Sequence, residues 1–256
     1  MTVRALAAAG ALLFFGSVAQ AQNAFEVPRK IVIDAGHGGY DSGATGLHHI
    51  EEKTVVLDIA RMLTLELEAR GFEVVMTRDT DVFIPLARRA GIANQARADL
   101  FVSVHGNAST TKSLRGFEVY SLSEDVDDES IAMQRAEMSE PFFRTADPSP
   151  SNGLKAILWD LRQAENRRES ISLAAEIARA AGGESLNVTQ RLRSAQFYVL
   201  KWTECPAVLV ETGYLTNTQD ARFLRSPYYR KRMARAIAQG IVDYRSKFER
   251  TEGFTQ

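Results

Sequence analysis

Short β-branched runs that end in polar or glycine-rich loops, each followed by a helical pattern, recur along this 256-residue chain and limit it to an α/β sheet. Residues 30–34 (KIVID) run into the glycine-rich stretch 35–46, the pattern of a buried strand feeding a loop. Across 54–69, Val55, Val56, Ile59, Met62, Leu63 and Leu67 recur at helical spacing, and Gly71 stops the helix. Residues 72–77 (FEVVMT) predict a second strand, 86–97 a helix and 100–105 (LFVSVH) a third strand. Further strands are expected at 116–122, 196–200 and 207–211, with a long closing helix over 227–247. The fold class is therefore α/β: about six strands in a mixed sheet flanked by helices, with a helical insertion.

The insertion covers about 123–187. It holds an acidic patch from Glu124 to Glu129, a helical stretch to about Glu140, a turn-rich link over 147–153 and two further helical runs. Its length of about 65 residues far exceeds ordinary connections of about 4–6. Within it, Ile157, Leu158, Leu161, Ile171, Leu173, Ala174 and Ile177 read mostly as core, with a partner-binding groove as the alternative. At the start of the chain, Arg4, the apolar run 5–16 and Ala19-Gln20-Ala21 read as a signal peptide over 1–21, leaving 22–256 as one exported domain. The apolar run would rise only about 18 Å as a helix, short of a hydrocarbon core of about 30 Å, and no later run is long enough to span.

Lys and Arg total 31 against 32 Asp and Glu, so no basic field exists to gather phosphates, and nucleic acid is excluded as a partner. Cys205 is the single cysteine; without a neighbouring base it reads as a buried, inert thiol.

Four polar groups stand where strands end or helices begin: His37 in DAGHGG, Glu52 just before the first helix, His105 in SVHGNAS and Glu211 in VLVETGYLTN. Two imidazoles and a carboxylate make up one ligand set of a catalytic zinc, although their separation in sequence fixes no geometry, and ordinary hydrogen-bonded histidines would look the same. His48 and His49 compete as ligands. Glu211 closes a run of four apolar residues, where a carboxylate needs either an ion-pair partner or a chemical role.

The ordered blocks KIVIDAGHGGYDSGATG, EEKTVVLDIA, PLARRAGIANQARADLFVSVHGNAS, GFEVYSL and FYVLKWTECPAVLVETGYLTN resemble the zinc-dependent N-acetylmuramoyl-L-alanine amidases of the type 3 class, from about residue 30 to 245. The resemblance implies Zn2+ held by His37, Glu52 and His105, with Glu211 as the acid/base in cleaving the amide between N-acetylmuramic acid and L-alanine of peptidoglycan. Asn107 is a candidate for orienting substrate. Division-associated members carry a helical insert whose Glu plugs the zinc until a LytM-domain-like activator binds. Aligned that way, 130–140 (SIAMQRAEMSE) places Glu137 at the plug position with Glu140 as rival, and implies a periplasmic protein whose partner docks on the insertion. The alternatives are a non-catalytic peptidoglycan-binding scaffold on the same fold and a zinc peptidase or deacetylase acting on the same polymer.

Overall fold

Strand β1 (Lys30–Ala35) buries side chains on both faces, as a strand flanked by parallel neighbours and covered by helices must. A computed structural model describes residues 27–123, 153–183 and 191–251. In chain order the elements after β1 are α1 (Glu52–Glu68), β2 (Glu73–Met76), α2 (Leu86–Ala96), β3 (Leu100–Asn107), β4 (Glu118–Leu122), α3 (Gly153–Gly183), β5 (Arg191–Ala195), α4 (Tyr198–Lys201), β6 (Ala207–Tyr214), α5 (Thr218–Leu224) and α6 (Pro227–Thr251). The sheet has six strands in the order β2-β1-β3-β6-β4-β5. Neighbours run parallel except β4 and β6, whose antiparallel pairing makes the sheet mixed.

Period-two alternation divides the core between the two faces. Ile31, Ile33, Leu100, Val102, Val208 and Val210 face the larger side, under α1, α3 and α6. Val32, Phe101, Leu209 and Tyr120 face the smaller side, where Ala93 of α2 and Val199 and Leu200 of α4 cover them. Helices α3 and α6 approach closely at Gly240, where an added Cβ would lie 2.4 Å from the Ile177 backbone. Leu173, Ala174, Ile177 and Ala181 of α3 are thereby part of the main core.

Several boundaries differ from those expected. Helix α1 starts at Glu52, two residues early, because the Glu52 N–H is already engaged by the Ala44 carbonyl and its acidic side chain suits a first turn. The strand expected at 196–200 is instead the helical turn α4, and the strand lies just before it, at Arg191–Ala195. A short apolar run fits either element; here Phe197, Val199 and Leu200 point into the smaller core from a turn of helix. The true strand is an edge strand whose Leu192 is 53% exposed, and it carries charge instead of an apolar signature. The two helical runs expected over 154–177 form one continuous helix, α3. Its first half exposes Ile157, Leu158 and Leu161, which therefore are not core, as is also true of Ile171.

On the smaller side, beneath the C-terminal end of β1, sits a buried charge network. Asp34 accepts hydrogen bonds from Thr77 Oγ1 at 2.6 Å, Ser103 Oγ at 2.7 Å and Arg89 Nη1 at 2.8 Å. Burial alone would raise its pKa, but the Arg89 charge and these donors outweigh burial and hold it below the usual carboxylate range. Arg89 also donates to the carbonyls of Ile84, Ala35 and His37. Arg78, equally buried, donates to those of Ala35, Gly36, Thr80 and Lys53. Arg89→Met would strand the Asp34 carboxylate in the interior, so urea denaturation is expected to show a loss of about 3–5 kcal/mol, partly recovered when Asp34→Asn is added. A loss below about 1 kcal/mol would show that this network does not hold the fold.

Candidate active site

The chain leaves β1 through Gly36 and His37, and His37 adopts a left-handed backbone, φ 57°, that a non-glycine residue rarely takes. Its carbonyl is fixed by Arg89 Nη2 at 2.8 Å, which supplies the restraint such a conformation needs. His37 Nδ1 lies 2.6 Å from Asp41 Oδ2, so the ring is oriented with Nε2 directed inward. There Nε2 meets Glu52 Oε1 at 3.0 Å, and His105 Nδ1 approaches the same oxygen at 3.1 Å. Glu52 is itself buried and held at both oxygens, Oε1 by the Gly106 N–H and Oε2 by the Ala44 N–H, each at 2.9 Å.

Thus one ligand-type atom from each of His37, Glu52 and His105 falls within 4.8 Å of the others, the sole such group of three or more among the described residues. Two glycines make room for it. A Cβ at Gly36 would lie 2.4 Å from the His105 ring, and one at Gly43 would lie 2.6 Å from both Glu52 Oε2 and His37 Cδ2. Two nitrogens and an oxygen at this spacing could hold a metal ion, and they suit zinc, whose bonds to such atoms run about 2.0–2.2 Å. His48 and His49 are exposed in a short helical turn, Leu47–His49, and lie outside the cluster.

Glu211 stands beside this group because of strand register. His105 of β3, Glu211 of β6 and Glu118 of β4 are direct partners in one row across three neighbouring strands. Like charges directly opposite each other across a strand pair repel, so one of the two glutamates must give way. Tyr120 Oη, Tyr214 Oη and Asn107 Nδ2 donate to Glu118 Oε2 at 2.8, 3.2 and 3.3 Å, and Arg193 Nη1 lies 3.5 Å from Oε1. Glu211 Oε2 is buried and accepts no hydrogen bond among the described residues. Burial first, then the Glu52 and Glu118 charges, raise the Glu211 pKa well above the usual carboxylate range, against a smaller lowering by His37. Of the two glutamates, Glu118 has the donors and Glu211 the bare, buried oxygen.

Sequence reading missed Glu118, Arg89 and Arg78. A glutamate inside the apolar strand motif GFEVY was the available signal for Glu118, while nothing local marks the two arginines. Asn107, the candidate for orienting substrate, donates from its amide nitrogen to Glu118 Oε2 and accepts at its oxygen from the Ala108 N–H. Cys205 is buried and its thiol pKa is raised, by burial first and then by the Asp99 and Glu204 charges, in keeping with an inert thiol. Glu137 and Glu140 lie outside the described residues, as does 1–21.

A donor cluster that could hold a metal, set beside a buried carboxylate at the strand ends of a mixed α/β sheet, is an arrangement able to support metal-assisted hydrolysis. A family model described as N-acetylmuramoyl-L-alanine amidase matches residues 31–243. The chain belongs to that family and is an enzyme of it, a peptidoglycan amidase. It is 34% identical over 219 residues to the N-acetylmuramoyl-L-alanine amidase AmiA of Escherichia coli, a match covering 84% of this chain and 76% of that protein. It is 36% identical over 216 residues to AmiC of Neisseria meningitidis, spanning 84% of this chain and 52% of the relative. Among solved structures, the amidase AmiC2 of Nostoc punctiforme superposes with a TM-score of 0.64 at 32% identity, covering 84% of this chain and 96% of that one.

Burial would lower the pKa of His37, but the charges and hydrogen bonds of Glu52 and Asp41 pull it up to about 10 in the metal-free chain. A ligand imidazole must be neutral, so metal uptake below that pH has to expel this proton. Calorimetric titration with zinc at neutral pH, in buffers of different ionisation enthalpy, is expected to show release of about one proton or more and an affinity that rises with pH. Uptake without proton release would mean that His37 is not a ligand.

Proposed function

We propose that this chain is an exported zinc enzyme that hydrolyses the amide between N-acetylmuramic acid and L-alanine in peptidoglycan, and that its own insertion restrains it until cell separation. The observation that carries the catalytic part is the convergence of His37, Glu52 and His105 on one point beside a protonatable Glu211. These three residues would hold the zinc. When bound, zinc supplies a Lewis acid that polarises the scissile carbonyl and lowers the pKa of water.

The rest of the chemistry belongs to the chain. Glu52, fixed at both oxygens, and His37, fixed through Asp41, keep the donor set in place without rearrangement. Glu211, ionised in its working state, takes the proton of the attacking water at its carboxylate as the carbon–oxygen bond forms. It then returns that proton to the alanine nitrogen as the carbon–nitrogen bond breaks. Its buried, unbonded oxygen and its pKa, raised from the ordinary range, suit a group that must both accept and donate near neutrality.

Restraint by the insertion rests on the likeness of 130–140 to a plug helix, with Glu137 as the zinc-blocking group. Support for a partner docking there comes from α3, whose Leu154, Ile157, Leu158 and Leu161 are all more than half exposed at spacings of three and four residues, the pattern of a helix that offers one apolar face. The proposed partner is a LytM-domain-like activator. Export rests on the signal pattern over 1–21 and the periplasmic placement on the likeness of the insertion to that of division-associated members; no helix among the described residues is long and apolar enough to cross a membrane.

Glu211→Ala is expected to keep its zinc and lose about 100-fold or more of the release of free stem peptides from peptidoglycan, read by mass spectrometry of the products. Normal turnover in that variant would remove Glu211 from the reaction, while acetate or shortened peptides from the unaltered chain would replace the amidase chemistry with a deacetylase or peptidase. Glu137→Ala should raise the basal rate of the full chain; a rate unchanged in both Glu137→Ala and Glu140→Ala would overturn the plug.

A further inference from the structure

Tyr40 lies three residues past His37, on the same glycine-rich loop, and its ring is 69% exposed. It packs against Phe83, with ring centroids 4.4 Å apart and planes tilted by 34°. Val82, 45% exposed, extends the apolar surface beside them. The three side chains form one contiguous exposed apolar patch, and Tyr40 belongs to the loop that carries His37.

The pair is rigidly mounted. Gly38 and Asp41 exchange two backbone hydrogen bonds, at 2.9 and 3.1 Å, which fold the loop back on itself. The Gly39 N–H donates to Asp81 Oδ1 at 2.8 Å, and Lys53 Nζ ties the two segments together by donating to the Gly39 carbonyl at 2.8 Å and to Asp81 Oδ2 at 2.9 Å. Gly39, at φ 60°, brings the loop so near that an added Cβ would lie 2.8 Å from the Phe83 nitrogen. The rings therefore form a fixed shelf.

Three residues of chain reach at most about 10 Å, so the shelf stands within that distance of the His37 backbone, and nearer where the loop folds back. In the substrate, the scissile carbonyl is joined to the pyranose of N-acetylmuramic acid through a lactyl ether only about 4 Å long. A carbonyl placed at the donor cluster thus keeps its own sugar within reach of the loop that bears Tyr40. A pyranose presents an apolar C–H face that packs on an aromatic ring. The stem peptide, on the other side of the bond, is anionic and needs cations, whereas Lys53, beside this loop, is already committed to Asp81 and Gly39. We propose that Tyr40 and Phe83 form the subsite for the pyranose ring at the scissile linkage, and that Tyr40 sets the preference for sugar-bearing substrate over the same amide without its sugar. This rests on the amidase reading above.

The test compares kcat/KM of the zinc-loaded full chain for N-acetylmuramoyl-L-alanyl-D-isoglutamine and for D-lactoyl-L-alanyl-D-isoglutamine, which carries the same scissile amide and no pyranose. Tyr40→Ala is expected to lower the ratio of the two by about tenfold, mainly through KM for the sugar-bearing substrate, and Tyr40→Trp to hold it within about twofold. Because Tyr40 is exposed, an unchanged Tm establishes that the Ala variant folds. A ratio unaltered in Tyr40→Ala, or an equal loss on both substrates, overturns the sugar subsite while leaving the amidase intact. Failure of the unaltered chain, and equally of the chain carrying both Glu137→Ala and Glu140→Ala, to cut either substrate removes the amidase reading and this subsite with it.

Discussion

Two buried guanidinium groups hold the backbone on which everything else in this protein depends. Arg89 and Arg78 together take the carbonyls of Ala35, Gly36 and His37, the residues through which β1 becomes the glycine-rich loop. Placing two cations side by side in the interior is unfavourable, and burial first, then the Arg89 charge, bring the Arg78 guanidinium down to about 10. Asp34 offsets part of that cost, and the carbonyls supply the remaining acceptors. What the arrangement achieves is a His37 kept in a backbone conformation it would not otherwise choose, with its ring turned toward Glu52. A looser mount would let the loop relax, and the donor cluster would exist only part of the time.

Strand register does the comparable work for the carboxylates. The row His105, Glu211, Glu118 is set by the pairing of β6 with both neighbours, and a slip of one residue would send Glu211 to the opposite face. Within the row, identical side chains have opposite surroundings. Glu118 is surrounded by two phenols, an amide and a guanidinium, while Glu211 is buried at one oxygen without a donor. Two neighbouring carboxylates are thus given different surroundings by side chains of the sheet itself.

The sequence was most informative where local pattern and chemistry coincide. KIVID, LFVSVH and AVLVE are continuous apolar runs, as doubly covered strands must be, and each ends in a group that the structure brings to the site or beside it. Strand β5 was misplaced by a few residues because an edge strand need bury only one side and carries arginines, so its apolar signal is weaker than that of the helical turn after it. Arg89 and Glu118 escaped notice for a different reason. Arg89 meets Asp34 55 residues away and Glu118 meets Tyr214 96 residues away, and a charged residue in a helix or strand pattern reads as solvent-facing until such neighbours are known. Asn107 shows the same limit, since its hydrogen bond to Glu118, 11 residues on, could not be read from the SVHGNAS motif.

The order of the strands also bears on how the molecule is made. β6 is the last strand in the chain, yet it occupies the middle of the sheet, between β3 and β4. Until it is synthesised and inserted, each of those strands presents an open edge, and the earlier part of the chain consists of two half-sheets with a gap between them. The strand that closes the gap also carries Glu211, so assembly of the sheet and completion of the reactive centre are a single event. A nascent or truncated chain has His37, Glu52 and His105 on the first half-sheet but lacks the carboxylate across from them. The row that sets a buried carboxylate opposite His105 therefore exists only once the last strand is in place.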